Sequence, residues 1–163
     1  MSQGINEEEI LKQLDLRVKD VMQASPLTLP AEGTVLEAAK AMEEQDSSVA
    51  FAQSQGKIVG IVTERDIARR VVAKGAAADK TMVSAIMTSP IIAISPDAKI
   101  EEALKVMTTN KVRRLPVVDE TGGLAGMVAV ADIARALAEK AGYTSSLITA
   151  MTKESSPPSG VYD

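Results

Sequence analysis

"GIVTERDIARR", residues 60–70, and "GMVAVADIARA", residues 126–136, share a glycine, an aliphatic run, an aspartate six places after the glycine and a basic continuation. They differ at the fourth residue, where Thr63 in the first stretch faces Ala129 in the second. The agreement spreads in both directions. Sliding the chain against itself by 65 places sets Val18 on Val83, Met22 on Met87, Val35 on Ile100, Glu37 on Glu102, Ala38 on Ala103 and Met42 on Met107. One extra residue near Gly122 and Gly123 then brings Gly60 onto Gly126, Asp66 onto Asp132 and Ile67 onto Ile133. The chain is a duplication. Two copies are too few for a solenoid, so a closed pair in which each half completes the other's core is expected.

Each copy reads as strand, helix, strand, strand, helix. Val35, Ala38, Ala39 and Met42 stand at i, i+3, i+4 and i+7, as do Ile100, Ala103, Leu104 and Met107, which predicts one apolar helical stripe per copy. "SSVAFAQ" and "KIVGIVT" flank "SQG", and "RRLPVVD" and "GLAGMVA" flank "ETG"; small polar residues with glycine between aliphatic runs predict hairpins. A second helix follows, carrying Ile67 and Val71 in one copy and Ile133, Ala136 and Leu137 in the other. Before the first helix, "LTL" and "IIAI" predict one more short strand, with "PAEG" and "SPDA" as turn and cap. The fold class is α+β (α/β), with copies over 16–75 and 82–140 packed as a pseudo-twofold module. Asn6 and the three glutamates after it predict a capped N-terminal helix within 1–15. Residues 144–163 read as a short helical turn, "TSSLITAM", and a disordered tail rich in Pro, Ser and Gly.

Composition narrows function. With 163 residues the chain can bury roughly 70% of its unfolded surface. Hydrophobic residues make up 45% but aromatics only 2%, so the core is aliphatic and base-stacking platforms are not expected. A net charge of −4 and a pI of about 5.0 give no general attraction to nucleic acid or to anionic membranes. Cysteine and histidine are absent, which removes disulfides, thiolate nucleophiles, imidazole bases and the usual zinc ligands. No nucleophile and base stand at a recognisable spacing, and no enzyme is expected. The acidic start without an apolar stretch, and the lack of an apolar run of about 18 residues, predict a cytoplasmic protein with no membrane span.

Thr63 sits where a strand gives way to a helix, and Asp66 falls at the third helical position, a variant of the capping box. A cap alone accounts for that spacing. The same arrangement also offers a hydroxyl, a carboxylate and free backbone N–H groups at one spot, the set that a ribose phosphate requires. Likewise "KVRR", with Arg113 and Arg114, reads either as a solvated basic patch or as a planar pair matched to phosphate. Arg69 and Arg70 follow Asp66 by one helical turn and could add to the positive field there, but read first as a solvated helix face.

The duplicated G-h-h-T-x-x-D after a hairpin strand, together with "NKVRRLPVVD" opening the second hairpin, resembles the cystathionine beta-synthase (CBS) domain present as a tandem pair, over about Leu16 to Leu137. The resemblance implies one module with two related clefts for adenosine-containing ligands such as AMP, ADP, ATP, S-adenosylmethionine or NAD. By it, Asp66 would hold the ribose hydroxyls, Thr63 the phosphate, and Ile61 would line the base slot. Pro90, Ile91 and Ile92 would surround the adenine, Arg113 and Arg114 would face the phosphates, and Pro116 would complete this main cleft. Pro26, Leu27, Met127 and Asp132 would form a weaker second cleft, which has Ala129 for Thr63 and, at the places of Arg113 and Arg114, Ser48 and Val49.

The resulting expectation is a non-catalytic regulatory or energy-sensing module with no required cofactor, binding an adenine nucleotide, AMP first and then ADP or ATP. The alternative is an interaction or assembly module with vestigial clefts. An unidentified regulated protein is the expected partner. A homodimer is expected too, because Ile67 with Val71, and Ile133 with Leu137, look like faces that one module leaves open.

Overall fold

The computed structural model describes residues 15–140. The predicted N-terminal helix and the predicted C-terminal turn and tail lie outside the described residues. The first copy supplies α1 (Val18–Val21), β1 (Thr28–Pro30), α2 (Val35–Glu44), β2 (Val49–Ser54), β3 (Lys57–Thr63) and α3 (Glu64–Arg70). The second supplies α4 (Val83–Ile86), α5 (Ile100–Asn110), β4 (Arg114–Val118), β5 (Leu124–Ala129) and α6 (Val130–Lys140). The architecture is α+β.

Local chemistry sets these bounds. Helix α2 begins where the Thr34 hydroxyl accepts the Glu37 N–H at 3.2 Å and the Glu37 carboxylate accepts the Thr34 N–H at 2.8 Å. The bond from the Thr34 backbone holds the Glu37 carboxyl below its ordinary range. The predicted stripes are the buried faces: Val35, Ala38 and Met42 on α2, and Ile100, Ala103 and Met107 on α5. Strands β2 and β3 pair antiparallel with Ser54 opposite Lys57, so the loop is Gln55 and Gly56, both left-handed at φ 51° and 76°. A loop of this kind twists with the strands it joins. In the second copy residues 119–123 take its place. There the Asp119 carboxylate accepts the Thr121 hydroxyl at 2.6 Å and the N–H groups of Thr121 and Gly123 at 2.8 and 3.0 Å. These bonds, that of Thr121 foremost, hold the Asp119 carboxyl below its ordinary range.

The copies differ at the first predicted strand. β1 runs parallel to β2, Thr28 facing Phe51, in a sheet of order β1-β2-β3, and the Phe51 N–H donates to the Leu27 carbonyl at 2.8 Å. In the second copy "IIAI" forms no strand, only an isolated bridge at Ile94, and β4 and β5 make a two-stranded sheet. Duplication puts Pro116 at the place of Phe51, and a proline has no N–H to give to such a ladder.

The chain divides into two compact units that cut across the copies. One holds residues 24–93 and 116–126, the other residues 15–23, 94–115 and 127–140. In the first unit the leading segment of the second copy docks on the first copy. Val83 N–H donates to Gly33 O and Val35 N–H to Thr81 O, both at 2.8 Å, while Ile61 and Thr88 exchange bonds of 3.1 and 2.8 Å. Val83 and Ile86 thereby join Leu27, Ala31, Val35, Ala38, Met42, Ala50, Ala52, Val62 and Val71 in one buried cluster. In the second unit the leading segment of the first copy docks on the second copy. Val18 N–H donates to Ala98 O at 2.9 Å, and Gln23 and Met127 exchange bonds of 2.8 and 2.9 Å. The isolated bridges form two duplicated sets, Arg17 to Lys99 with Thr34 to Met82, and Gln23 to Met127 with Ile61 to Thr88. Each copy has exchanged its lead-in with the other.

Two residues expected on open faces are covered within the chain: Val71 and Ile133 are each 1% exposed. Ile67 and Leu137 are half-buried. No helix among the described residues is long and apolar enough to cross a membrane.

Candidate functional site

The exchange of lead-ins builds the first candidate site, because it lays Thr88 and the residues after it along β3. Ile61 is tied to Thr88 by two backbone bonds, and the Ser89 hydroxyl donates to the Val59 carbonyl at 3.0 Å. Pro90 and Ile92 are exposed at this edge and Ile91 is half-buried. The close approach needs Gly60, since a Cβ there would collide with the Met87 side chain. So Ile61 and the Pro90–Ile92 segment, paired at the sequence level only through the family resemblance, belong to one unit and one backbone frame.

Two residues on from Ile61, β3 ends at Thr63. The Thr63 N–H donates to Asp66 Oδ2 at 2.9 Å, the Thr63 hydroxyl donates to the same oxygen at 3.1 Å, and the Asp66 N–H donates back to Thr63 Oγ1 at 3.2 Å. The capping box is complete, and the cap alone accounts for the spacing. It does not use the carboxylate up. Asp66 Oδ1 accepts no hydrogen bond among the described residues, and Arg70 Nη2 stands 3.6 Å from it. The Asp66 side chain is 15% exposed.

Arg70 is exposed, as expected of a solvated helix face, and its guanidinium also makes bonds within the unit. Its Nη1 donates to the Ile86 carbonyl at 2.6 Å and to Thr88 Oγ1 at 3.4 Å. It thus clamps the exchanged lead-in to α3 while leaning on Asp66. The i, i+4 spacing of Asp66 and Arg70 was the available signal. Arg69 is exposed, as expected of a solvated face.

Arg113 and Arg114 are both exposed and lie in the other unit, where the Arg113 carbonyl accepts the Val130 N–H at 3.0 Å. The matching bond in the first copy is Glu64 N–H to Ser48 O at 3.1 Å, which fixes Ser48 and Arg113 as equivalent positions. Pro116 is buried within β4. Val49, the counterpart of Arg114, is 4% exposed, so that place has become core in the first copy.

The second candidate site is built differently. Asp132 Oδ2 accepts the Ala129 N–H at 2.8 Å, half of the box that Thr63 completes in the other copy. Asp132 Oδ1 accepts Nε2 of Gln23 at 2.8 Å, with Arg135 Nη1 at 3.9 Å, and its side chain is only 4% exposed. Met127, 8% exposed, carries the backbone bonds that hold Gln23. Leu27 is in the buried cluster and Pro26 is half-buried. Gln23 was missed at the level of sequence, although setting the copies in register places it opposite Thr88. Among the described residues no group of His, Cys, Asp or Glu could hold a metal ion.

Comparison with known proteins identifies the family. Residues 18–73 and 83–139 each match the CBS domain family. The chain is 35% identical over 117 residues to the CBS domain-containing protein YhcV of Bacillus subtilis, covering 72% of this chain and 82% of that one. It is 36% identical over 116 residues to an uncharacterized protein of Methanopyrus kandleri, covering 71% of this chain but 57% of the relative. Among solved structures, a CBS domain pair in complex with 5-methylthioadenosine and S-adenosyl-L-methionine superposes with a TM-score of 0.68 at 28% identity, over 77% of this chain and 98% of that one. A CBS domain protein from Pyrobaculum aerophilum complexed with AMP superposes with a TM-score of 0.68 at 25% identity, over 78% of this chain and 98% of that one. With both copies matched and the exchanged architecture in place, the chain belongs to the CBS domain family as a tandem pair.

Proposed function

We propose that the protein is a non-catalytic regulatory module that binds an adenine nucleotide, AMP first and then ADP or ATP, at Ile61, Thr63 and Asp66. The observation that carries this is the Asp66 carboxylate. One oxygen is locked in the cap while the other accepts no hydrogen bond among the described residues, next to a backbone frame that brings Pro90 to Ile92 alongside Ile61. A carboxylate oxygen so placed is an acceptor for vicinal hydroxyls, and the Thr63 hydroxyl, by turning its one proton from Asp66 Oδ2, becomes a donor for a phosphate. In this reading Pro116, in the same unit, backs the cleft. Support comes from two structural neighbours whose ligands, AMP in one and S-adenosyl-L-methionine with 5-methylthioadenosine in the other, share the adenosine group. The module works in the cytoplasm on an unidentified protein, with no nucleic acid and no membrane as partner.

A thermal-shift panel of AMP, ADP, ATP, S-adenosylmethionine and NAD tests the reading. A ligand at 100 times its dissociation constant adds about 2.7 kcal/mol, and AMP is expected to raise the midpoint most. No shift with any of the five would leave the assembly reading, with vestigial clefts, in its place.

The module also acts as a homodimer in this reading. Since Val71 and Ile133 are buried, its contact rests on the more exposed Ile67 and Leu137. Light scattering at micromolar concentration is expected to give twice 17.1 kDa, and a mass of one chain would reject the dimer.

A further inference from the structure

The two helix-start carboxylates sit in the same backbone frame but in opposite states. Thr88 exchanges two backbone bonds with Ile61, and Gln23, its counterpart, exchanges two with Met127. From that shared position the Thr88 side chain ends in a hydroxyl that takes a long contact from Arg70, and it makes no hydrogen bond to Asp66. Gln23 is longer, and its carboxamide donates to Asp132 Oδ1 at 2.8 Å, on a carboxylate whose other oxygen is already held by Ala129. Asp66 therefore keeps an oxygen without a hydrogen bond, whereas both oxygens of Asp132 are taken and its side chain is 4% exposed against 15% for Asp66. Gln23 itself is exposed, so its side chain can swing outward without disturbing the core.

We propose that Gln23 is a built-in occupant of the second nucleoside position: its carboxamide uses the acceptor that a ribose diol would need, and it closes that position to adenosine ligands. This rests on the reading of the helix-start aspartates as ribose acceptors. It explains the inequality of the two positions by a competitor inside the chain, independently of the phosphate chemistry lost with Ala129. An entering nucleoside must break a hydrogen bond to a charged group before forming its own. Removing the competitor is expected to tighten binding at Asp132 by roughly 10- to 100-fold.

The test uses adenosine, which carries no phosphate and so is blind to the missing threonine. Calorimetry on the full chain is expected to give one adenosine per wild-type chain and none for Asp66→Ala. In the Asp66→Ala background, Gln23→Thr, which installs the residue of the other copy, is expected to restore one, and Gln23→Ala to do the same. If wild type binds one and Asp66→Ala with Gln23→Thr binds none, Gln23 is not the obstacle and the first site stands. Two equal sites in wild type would also overturn the proposal. If wild type binds none, the nucleotide reading fails, and the proposal survives only if Gln23→Thr alone gains a site.

Discussion

Asp66→Ala is expected to remove AMP binding while leaving the protein folded. The carboxylate has two jobs that the substitution separates in size. As the third helical residue it accepts the Thr63 N–H at 2.9 Å, and loss of a cap of this kind costs about 1 kcal/mol of stability. As an acceptor for two ribose hydroxyls it would make charge-assisted bonds of about 1.5–3 kcal/mol each, so affinity should fall by at least roughly 100-fold. Calorimetry with AMP and a urea melt on the same sample measure both. A large loss of affinity with a small fall in midpoint is the expected pair of results. AMP binding that survives Asp66→Ala unchanged would mean that the carboxylate is only a cap. Thr63→Ala should weaken AMP more than adenosine, because its hydroxyl is assigned to the phosphate.

Ile86→Ala is expected to destabilise the protein by about 2–4 kcal/mol, and to do its damage in the other sequence copy. Ile86 is 4% exposed and belongs to the cluster built on Val35, Ala38 and Met42 of α2 and Val62 of β3. Its loss leaves a cavity under first-copy elements, so amide exchange should speed up along β2 and β3. Faster exchange confined to α5 and α6 would contradict the exchanged packing. Ile92→Ala, at 38% exposure, is the contrast and should change stability by no more than about 0.5 kcal/mol.

What the sequence made legible was what repeats at short range. The stripe Val35, Ala38, Met42 and its counterpart, the two hairpins, and the Thr63 cap all follow from spacing within a few residues, and each is present. Long-range partnership was less legible. Nothing in the pattern of "IIAI" shows that its ladder partner would be a proline at 116, which has no N–H to donate. Periodicity marks Val71 and Ile133 as apolar but not what covers them. Arg70 is solvated as its place on a short helix suggests, but nothing in the spacing shows that its guanidinium also reaches the Ile86 carbonyl in a segment from the other copy. Gln23 carried no motif at all; only its backbone pairing with Met127 aims its carboxamide at Asp132.

The exchanged lead-ins also bear on how the molecule is made. During synthesis the first copy emerges complete in sequence yet incomplete in structure. Val83 and Ile86, which finish its core, and Thr88, which pairs with Ile61, are translated only after α3 has already appeared. Until then the nascent chain holds an unfinished apolar surface, the kind of exposure that folding intermediates must survive. Neither copy alone holds the lead-in that completes its core, so a recombination that replaces one copy must still supply a lead-in that fits the copy left behind.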